Sequence, residues 1–576
     1  MSATAKPQLP ATAEPASGLA LGAWGRAISA TGAAALRPAS SSSSSYPTPA
    51  EASGWTRTST AAETIAYAEA LAAGSLPHAE RLVLSQYGTS EEGRPLTLVT
   101  VSDPPIARSS ISDLKASTKL RVHVNANIHA GEVEGKECVQ QLLREFAMGD
   151  HAELLEHAIV VCSICCNPDG NEMFSIDNRV DQHGPDGVGV RPNGKGLDLN
   201  RDFIKTEAAE VRGLIRVFQE FDPAVFVDLH ATDGSHHGYH VTYATSLSPN
   251  VDPALAEFTR SAFLPDIKSR CLAEHAVRAF HYGNFRGGDP DRGEASDADE
   301  TREWVTYDHR PRFGTNYNGL RNRISVLSEV YSHLDFEERT RVSRALVLET
   351  LTAAVAHRAE IATLTAAADE SGLSRSSGVM TYGADCELGP SSIQDVLVGS
   401  CTAVEVPQGT VLVADEEYEA VPMKVFSHFV ATTSIDIPRH GWAVLPAACN
   451  DMERLLFSLK MHGVKHELLT EPAAVESAAK FDVKEVSVIE SPTAHGMSPD
   501  GIQLDGAWDS ASGLRLPVGS VVVSGEDRLV RLAAQLLEPK STDSLFTYEV
   551  LGTEDGECPV WQLLSAPNAT TSSSKL

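Results

Sequence analysis

Val122-His123-Val124-Asn125-Ala126-Asn127-Ile128-His129-Ala130-Gly131-Glu132 is the stretch whose reading decides the fold. Residues 122–128 form a largely apolar run, which predicts a buried strand. Beyond it, Val139, Leu142, Leu143 and Phe146 recur at i, i+3, i+4 and i+7, one face of a helix. At the junction stand a His and a Glu three residues apart. A lone His230 closes a later apolar run, residues 225–230. Two imidazoles and one carboxylate are the ligand set of a catalytic zinc that keeps a coordination position open for water. Convergence of His129, Glu132 and His230 on one ion would make the chain a hydrolase.

Outward from this junction the same alternation continues. Residues 61–73 have helical spacing, and residues 82–85 and 96–102 read as strands joined by a polar, glycine-punctuated connection. Residues 158–166, 225–230 and 324–330 read as apolar strands. Val211, Leu214, Ile215 and Phe218 form another helix face, and residues 336–361 read as one long helix. The expectation is an α/β domain with a mixed, largely parallel sheet flanked by helices. Such sheets hold ligands at the carboxyl ends of their strands. His129, Asn167-Pro168-Asp169-Gly170, His230 and Glu329 all fall there.

Composition divides the chain. Residues 1–54, rich in Ala, Ser and Pro with an unbroken serine tract at 40–45, read as a disordered tail. Residues 55–366 are the expected catalytic domain. From 367 to 576 the texture changes to short strands such as 396–398 and 409–413 with helices at 452–461 and 528–537, a smaller α+β accessory domain. Residues 287–294 are acidic and glycine-rich and read as a long loop.

The net charge of -30 repels phosphate and excludes nucleic acid and anionic membranes as expected partners. No apolar run approaches the length of a membrane span. Nine cysteines at irregular spacing do not describe a disulfide framework. Cys162, Cys165 and Cys166 read as small apolar residues of a buried strand rather than a metal knuckle. Unbridged thiols point to a reducing, cytoplasmic location, while Lys6, Arg26 and Arg37 against Glu14 give the tail a transit-peptide flavour.

Two further stretches carry chemistry. In Gly196-Leu197-Asp198-Leu199-Asn200-Arg201-Asp202, an Asn–Arg pair offers an amide and a forked cation suited to a carboxylate. The competing reading is a helix start with Arg201 in a surface ion pair. Asp198 is available to accept from the far nitrogen of a ligating His. Glu329 is a carboxylate in an otherwise apolar strand, an expensive placement unless it is paired or functional. It would be a general base toward the attacking water, or a Glu that faces solvent. His236, His237 and His240 read as loop residues behind the ligands, with a second metal site as the lesser alternative.

In chain order, His129-Ala130-Gly131-Glu132, Asn167-Pro168-Asp169-Gly170, Leu197-Asp198-Leu199-Asn200-Arg201-Asp202, Asp228-Leu229-His230 and Ser328-Glu329 together resemble the zinc metallocarboxypeptidase family of the carboxypeptidase A type. Residues 313–323 and Leu536-Leu537-Glu538-Pro539 resemble a bacterial-type subgroup with a C-terminal extension. The resemblance implies one zinc ion held by His129, Glu132 and His230, with Asp198 orienting His129. It implies Glu329 as general base and then acid, Arg191 as the oxyanion-stabilising cation, and Asn200 and Arg201 as the grip on a substrate's terminal carboxylate. The implied activity is hydrolysis of C-terminal peptide bonds, with peptide or protein C-termini as partners. Gly131 departs from the family's pattern, which has an Arg inside this motif. Tyr307 and Tyr317 both stand at plausible distances for the family's substrate-side lid tyrosine. The alternatives are a zinc deacylase of N-acyl amino acids on the same scaffold and a catalytically inactive peptide-binding relative.

Overall fold

The computed structural model describes residues 46–106, 114, 116–180, 182–232, 235–286, 302–374, 379–406, 409–489, 501–553 and 557–569. Residues 1–45 of the expected tail and the expected loop at 287–294 lie outside the described residues.

Strands β1 (Leu82–Thr89), β2 (Pro95–Val101), β3 (Leu120–Ala126), β4 (Ala158–Ser163), β5 (Val225–Ala231), β6 (Val241–Ala244) and β7 (Ala279–His281) come first. Two short strands, β8 (Asn284–Arg286) and β9 (Glu303–Val305), precede β10 (Ile324–Val330). β1 to β7 and β10 make one eight-stranded sheet in the order β1-β2-β4-β3-β5-β10-β6-β7. Its centre, β4-β3-β5-β10, is parallel. β2 joins β4 and β6 joins β10 antiparallel. The sheet is therefore mixed with a parallel centre, as the sequence leads one to expect.

Every residue of β4 and β5 is buried, which requires helices on both faces. On one face Val124, Val160, Val227 and Val326 pack with Val139 and Leu143 of helix Glu134–Met148 and Val342 and Leu346 of helix Phe336–Ala356. On the other, Ile159, Val161 and Phe226 meet Leu214 and Phe218 of helix Ala209–Glu220 and Tyr317 of helix Gly314–Leu320. Side chains alternate along a strand, so Asp228, His230 and Glu329 belong to the second face and appear at its carboxyl rim. The single helix expected over 336–361 is two, Phe336–Ala356 and Arg358–Ser374, separated at His357.

The tail reading extends too far. Within residues 46–54 a capping box at Thr48 starts the turn Pro49–Ala52, and Ala50 is fully buried. Trp55 then meets Phe336 edge to face at 5.4 Å. None of the nine cysteines, all among the described residues, forms a disulfide. No helix among the described residues is long and apolar enough to cross a membrane.

The C-terminal part contains β11 (Thr381–Leu388), β12 (Ser392–Val406), β13 (Gly409–Phe426) and β14 (Phe429–Asp436), followed by β15 (Trp442–Val444), β16 (His466–Leu468), β17 (Ala473–Ile489), β18 (Gly501–Leu516), β19 (Val521–Val523) and β20 (Glu557–Leu563). β15 to β20 share one sheet, accompanied by helices Met452–His462 and Val530–Leu537. This is α+β, but it is not set apart at 366/367, a position inside helix Arg358–Ser374. β12 and β13 form a long hairpin, and the end of β13 pairs parallel to β9, which pairs with β8. The second core continues through Trp442, Leu455 and Leu532. C-terminal residues are thus built onto the catalytic sheet.

Leu536-Leu537-Glu538-Pro539 ends one of these helices, and Glu538 is fully buried. Its carboxylate accepts from Trp442 Nε1 at 3.0 Å, Gln562 Nε2 at 3.1 Å and Trp508 Nε1 at 3.1 Å. Three neutral donors do not offset the loss of water, and burial pushes the group from 4.5 up to about 7. Between those two values the folded chain keeps a proton that the unfolded chain has released. Stability therefore falls as pH rises through that window. Urea unfolding is expected to show Glu538→Gln gaining on the parent chain by up to about 3 kcal/mol between pH 5 and pH 8. A gap that does not change with pH would exclude this titration.

Candidate metal centre and active site

β3 ends at Ala126, and Asn127 takes a left-handed backbone with φ 65, which Asn tolerates better than most residues. The chain thereby turns off the sheet. The Glu132 N–H donates to the His129 carbonyl at 3.0 Å, which brings both side chains to one side of a tight turn. Helix Glu134–Met148 follows and crosses β5 so closely that a Cβ on Gly135 would lie 2.7 Å from Leu229 Cβ. This close approach sets His129 and Glu132 over the end of the strand that carries His230.

The three expected ligands converge. Glu132 Oε1 lies 3.2 Å from His129 Nδ1, Glu132 Oε2 lies 2.9 Å from His230 Nδ1, and the two Nδ1 atoms are 3.1 Å apart. A tetrahedral zinc with bonds of 2.0–2.2 Å sets its donors roughly 3.3–3.5 Å apart, so these residues fit the ion with small adjustments. His129, Glu132 and His230 are all buried.

Behind each imidazole stands a carboxylate. His129 Nε2 bonds Asp198 Oδ1 at 3.2 Å, as expected, and His230 Nε2 lies 3.1 Å from Asp228 Oδ2. The place of Asp228 two residues before His230, on the same strand face, is the sequence signal for this contact. Asp198 caps the turn Leu199–Arg201 through the Asn200 N–H at 3.0 Å and accepts from Arg191 Nε at 2.8 Å. Asn125 Nδ2 donates to Asp228 Oδ1 at 2.8 Å. Such partners fix the ring orientation of a ligating His. Burial pushes Asp198 up, but His129, Arg191 and Arg201 together hold its carboxyl well below the usual range. Glu132 is likewise pushed up by burial and held well below its ordinary value by His129 and His230. For His230 burial works downward, and Asp228 and Glu132 raise it well above the usual imidazole value.

Glu329 arrives by strand register. In the parallel pair of β10 with β5 it is the direct partner of His230. It faces a cavity of about 320 Å³ shared with the three ligands, Arg191, Asn200 and Arg201. Arg201 lies with its guanidinium 4.0 Å over the Phe313 ring and donates to the Asn200 carbonyl at 2.9 Å. Burial lowers its pKa. Asn200 is held by the Gly314 N–H, which donates to its Oδ1 at 2.8 Å, and its Nδ2 lies 3.3 Å from His230 Nε2.

The two tyrosines take different places. Tyr307 lines the cavity with its hydroxyl 2.7 Å from Thr315 Oγ1. Tyr317 does not: it is fully buried among Phe203 and Phe218, with its hydroxyl 3.0 Å from His462 Nδ1. Its candidacy as a substrate-binding residue is corrected, because helix Gly314–Leu320 turns this ring into the core. The cavity also gains Arg310 and Arg312, which sequence reasoning missed. Arg312 is held by the buried Asp543 of the C-terminal part at 2.8 Å. Only the tertiary fold joins these two residues.

Arg179 was missed as well. A Cβ on Gly131 would stand 3.0 Å from Arg179 Cδ, so the side chain of Arg179 fills the space beside Gly131. It donates to Glu132 Oε1 at 3.1 Å and to the carbonyls of Ala231 and Thr232 at 3.3 and 2.8 Å. His236, His237 and His240 do not gather. The His237 ring lies tilted against Tyr331 with centroids 4.2 Å apart, and His240 Nδ1 accepts from the Arg278 N–H at 2.9 Å.

Comparison with known proteins agrees with this geometry. Residues 67–263 match the family described as zinc carboxypeptidase. Carboxypeptidase 2 of Trichophyton equinum is 22% identical across 82% of this chain and 81% of its own length. Carboxypeptidase D of Mus musculus is 32% identical across 26% of this chain and 12% of its own. Among solved structures, a metallo-carboxypeptidase from Burkholderia cenocepacia shares 17% identity and a TM-score of 0.38 over 53% of this chain and 70% of that one. The segment that resembles a zinc carboxypeptidase, residues 67–263, holds all three candidate ligands.

Proposed function

We propose that the chain is a zinc-dependent carboxypeptidase that removes C-terminal residues from peptides, with one catalytic ion held by His129, Glu132 and His230. The observation that carries this reading is the cavity in which the three donors, Glu329 and Arg201 meet. Zinc, when bound, supplies Lewis-acid polarisation and brings the pKa of its water toward neutrality.

The chain's own residues do the rest. Glu329 takes the proton of the attacking water and then delivers it to the leaving amine. Arg191, oriented by Asp198, presents its positive charge to the negative charge that develops on the carbonyl oxygen. Arg201 and Asn200 recognise a free terminal carboxylate, and this makes the enzyme an exopeptidase. Tyr307, beside Glu329 in the same cavity, closes over the substrate's last residue. The net charge of -30 leaves peptides rather than polyanions as partners.

Glu329→Gln is expected to retain stoichiometric zinc and lose about 10²–10⁴ in kcat. Metal analysis beside steady-state kinetics reads both, and full turnover by this variant would remove Glu329 as the base. C-terminally amidated peptides are expected to be cleaved far more slowly than free acids; equal rates would point to endopeptidase action. Asp198→Ala and Asp228→Ala are each expected to weaken zinc affinity about 10- to 100-fold. Competition with a chelator measures this, and unchanged affinity would deny both carboxylates their orienting role.

A further inference from the structure

A second set of donors stands apart from the catalytic ligands. His236 lies on the segment that leaves β5, His333 follows the end of β10, and Cys401 belongs to β12 of the C-terminal hairpin. One donor atom from each lies within 4.8 Å of the others, and both imidazoles are buried. The two rings cross edge to face at 87° with centroids 5.3 Å apart.

The backbone around these donors is fixed from three sides. The Gly399 N–H donates to the His236 carbonyl at 3.1 Å, and the Ala414 N–H donates to the His333 carbonyl at 3.0 Å. His237 and Val398 form a bridge between the loop and the hairpin. The register of β12 with β13 breaks between Gly399 and Cys401, the kind of irregularity that re-aims a side chain. It does so at the cysteine, whose Sγ lies 3.3 Å from the Tyr331 hydroxyl.

We propose that His236, His333 and Cys401 form a second metal site of zinc type. Two imidazoles and a thiolate are a borderline-soft set that suits zinc, with water as the fourth ligand. Around a tetrahedral zinc, with Zn–N near 2.0–2.1 Å and Zn–S near 2.3 Å, the donors stand about 3.3–3.6 Å apart. Movements of about an ångström close the site. Binding replaces the thiol proton with the metal, and that proton passes to solvent. The ion ties the C-terminal hairpin to the two strands that deliver His230 and Glu329.

Cobalt substitution of the full-length chain tests this independently of the peptidase reading, because the catalytic donor set contains no sulfur. The metal-free protein titrated with Co²⁺ is expected to take up about two equivalents and to develop a near-ultraviolet thiolate-to-cobalt charge-transfer band. Cys401→Ser is expected to abolish the band and bind one equivalent fewer. His129→Ala is expected to keep the band while losing the other equivalent. His333→Asn provides a second route should the serine variant fold poorly, and it is expected to shift or abolish the band. Absence of the band in the parent chain, or its persistence in Cys401→Ser, would overturn the site.

Discussion

Buried negative charge at the carboxyl rim of the parallel strands is the constraint on which the rest of the structure turns. Glu132, Asp198 and Asp228 are 3%, 6% and 0% exposed. Two guanidinium groups reach them directly, Arg179 at Glu132 and Arg191 at Asp198. Three carboxylates against two cations leave a deficit of one positive charge before any imidazole is protonated. An uncompensated buried charge is strongly destabilising. Asp228 and Glu132 accordingly raise the pKa of His230 well above the usual imidazole value, against the effect of burial. A divalent ion between His129 and His230 answers the same deficit and leaves both imidazoles neutral, the form in which they act as ligands. The charge balance of the site is therefore that of a cation-binding centre, independently of any likeness to other proteins.

The C-terminal part belongs to this centre more than its composition suggests. Asp543 accepts from Arg312 on the cavity wall, and the hydroxyl of Tyr548 bonds the same carboxylate. His462 joins the hydroxyl of Tyr317 to the carbonyl of Ile204, just beyond the Asn200–Arg201 turn. All but the Tyr548 bond join residues more than a hundred positions apart. Removing the segment after residue 366 would expose the second core and free Arg312. The segment backs the cavity through Asp543 without lining it.

The legible part of the fold was the part written in local pattern. Apolar runs ending in His or Glu predicted β3, β5 and β10, and the carboxyl-end rule brought their last residues together. Illegible features depended on three-dimensional placement alone. Tyr307 and Tyr317 stand ten positions apart, and only the rotation of helix Gly314–Leu320 separates a cavity residue from a core residue. The strands of the long hairpin, β12 and β13, were underestimated because much of their length is exposed and carries polar residues on both faces, so no period marks them. The domain boundary failed for a related reason. β8 and β9 are three residues each, too short to register as strands, yet they anchor the hairpin to the upstream half.

Gly131 and Arg179 show how a departure within a motif is answered elsewhere. A side chain at position 131 would crowd the present Arg179, since a Cβ there stands 3.0 Å from Arg179 Cδ and 3.0 Å from the Gly189 carbonyl oxygen. The guanidinium of Arg179 is committed to Glu132 and two carbonyls at the end of β5, and it does not line the catalytic cavity. It therefore steadies a metal ligand, whereas an Arg inside the motif would add a cation on the substrate side. The cavity draws its positive charge from Arg191, Arg201, Arg310 and Arg312 instead. Of these, Arg310 is paired with Asp308 at 2.6 Å and Arg312 with Asp543 at 2.8 Å. Arg191 is likewise paired, with Asp198 at 2.8 Å, while the guanidinium of Arg201 lies 4.0 Å over the Phe313 ring, so under the proposed reading a terminal carboxylate would be met by Arg201 at the Asn200–Arg201 turn.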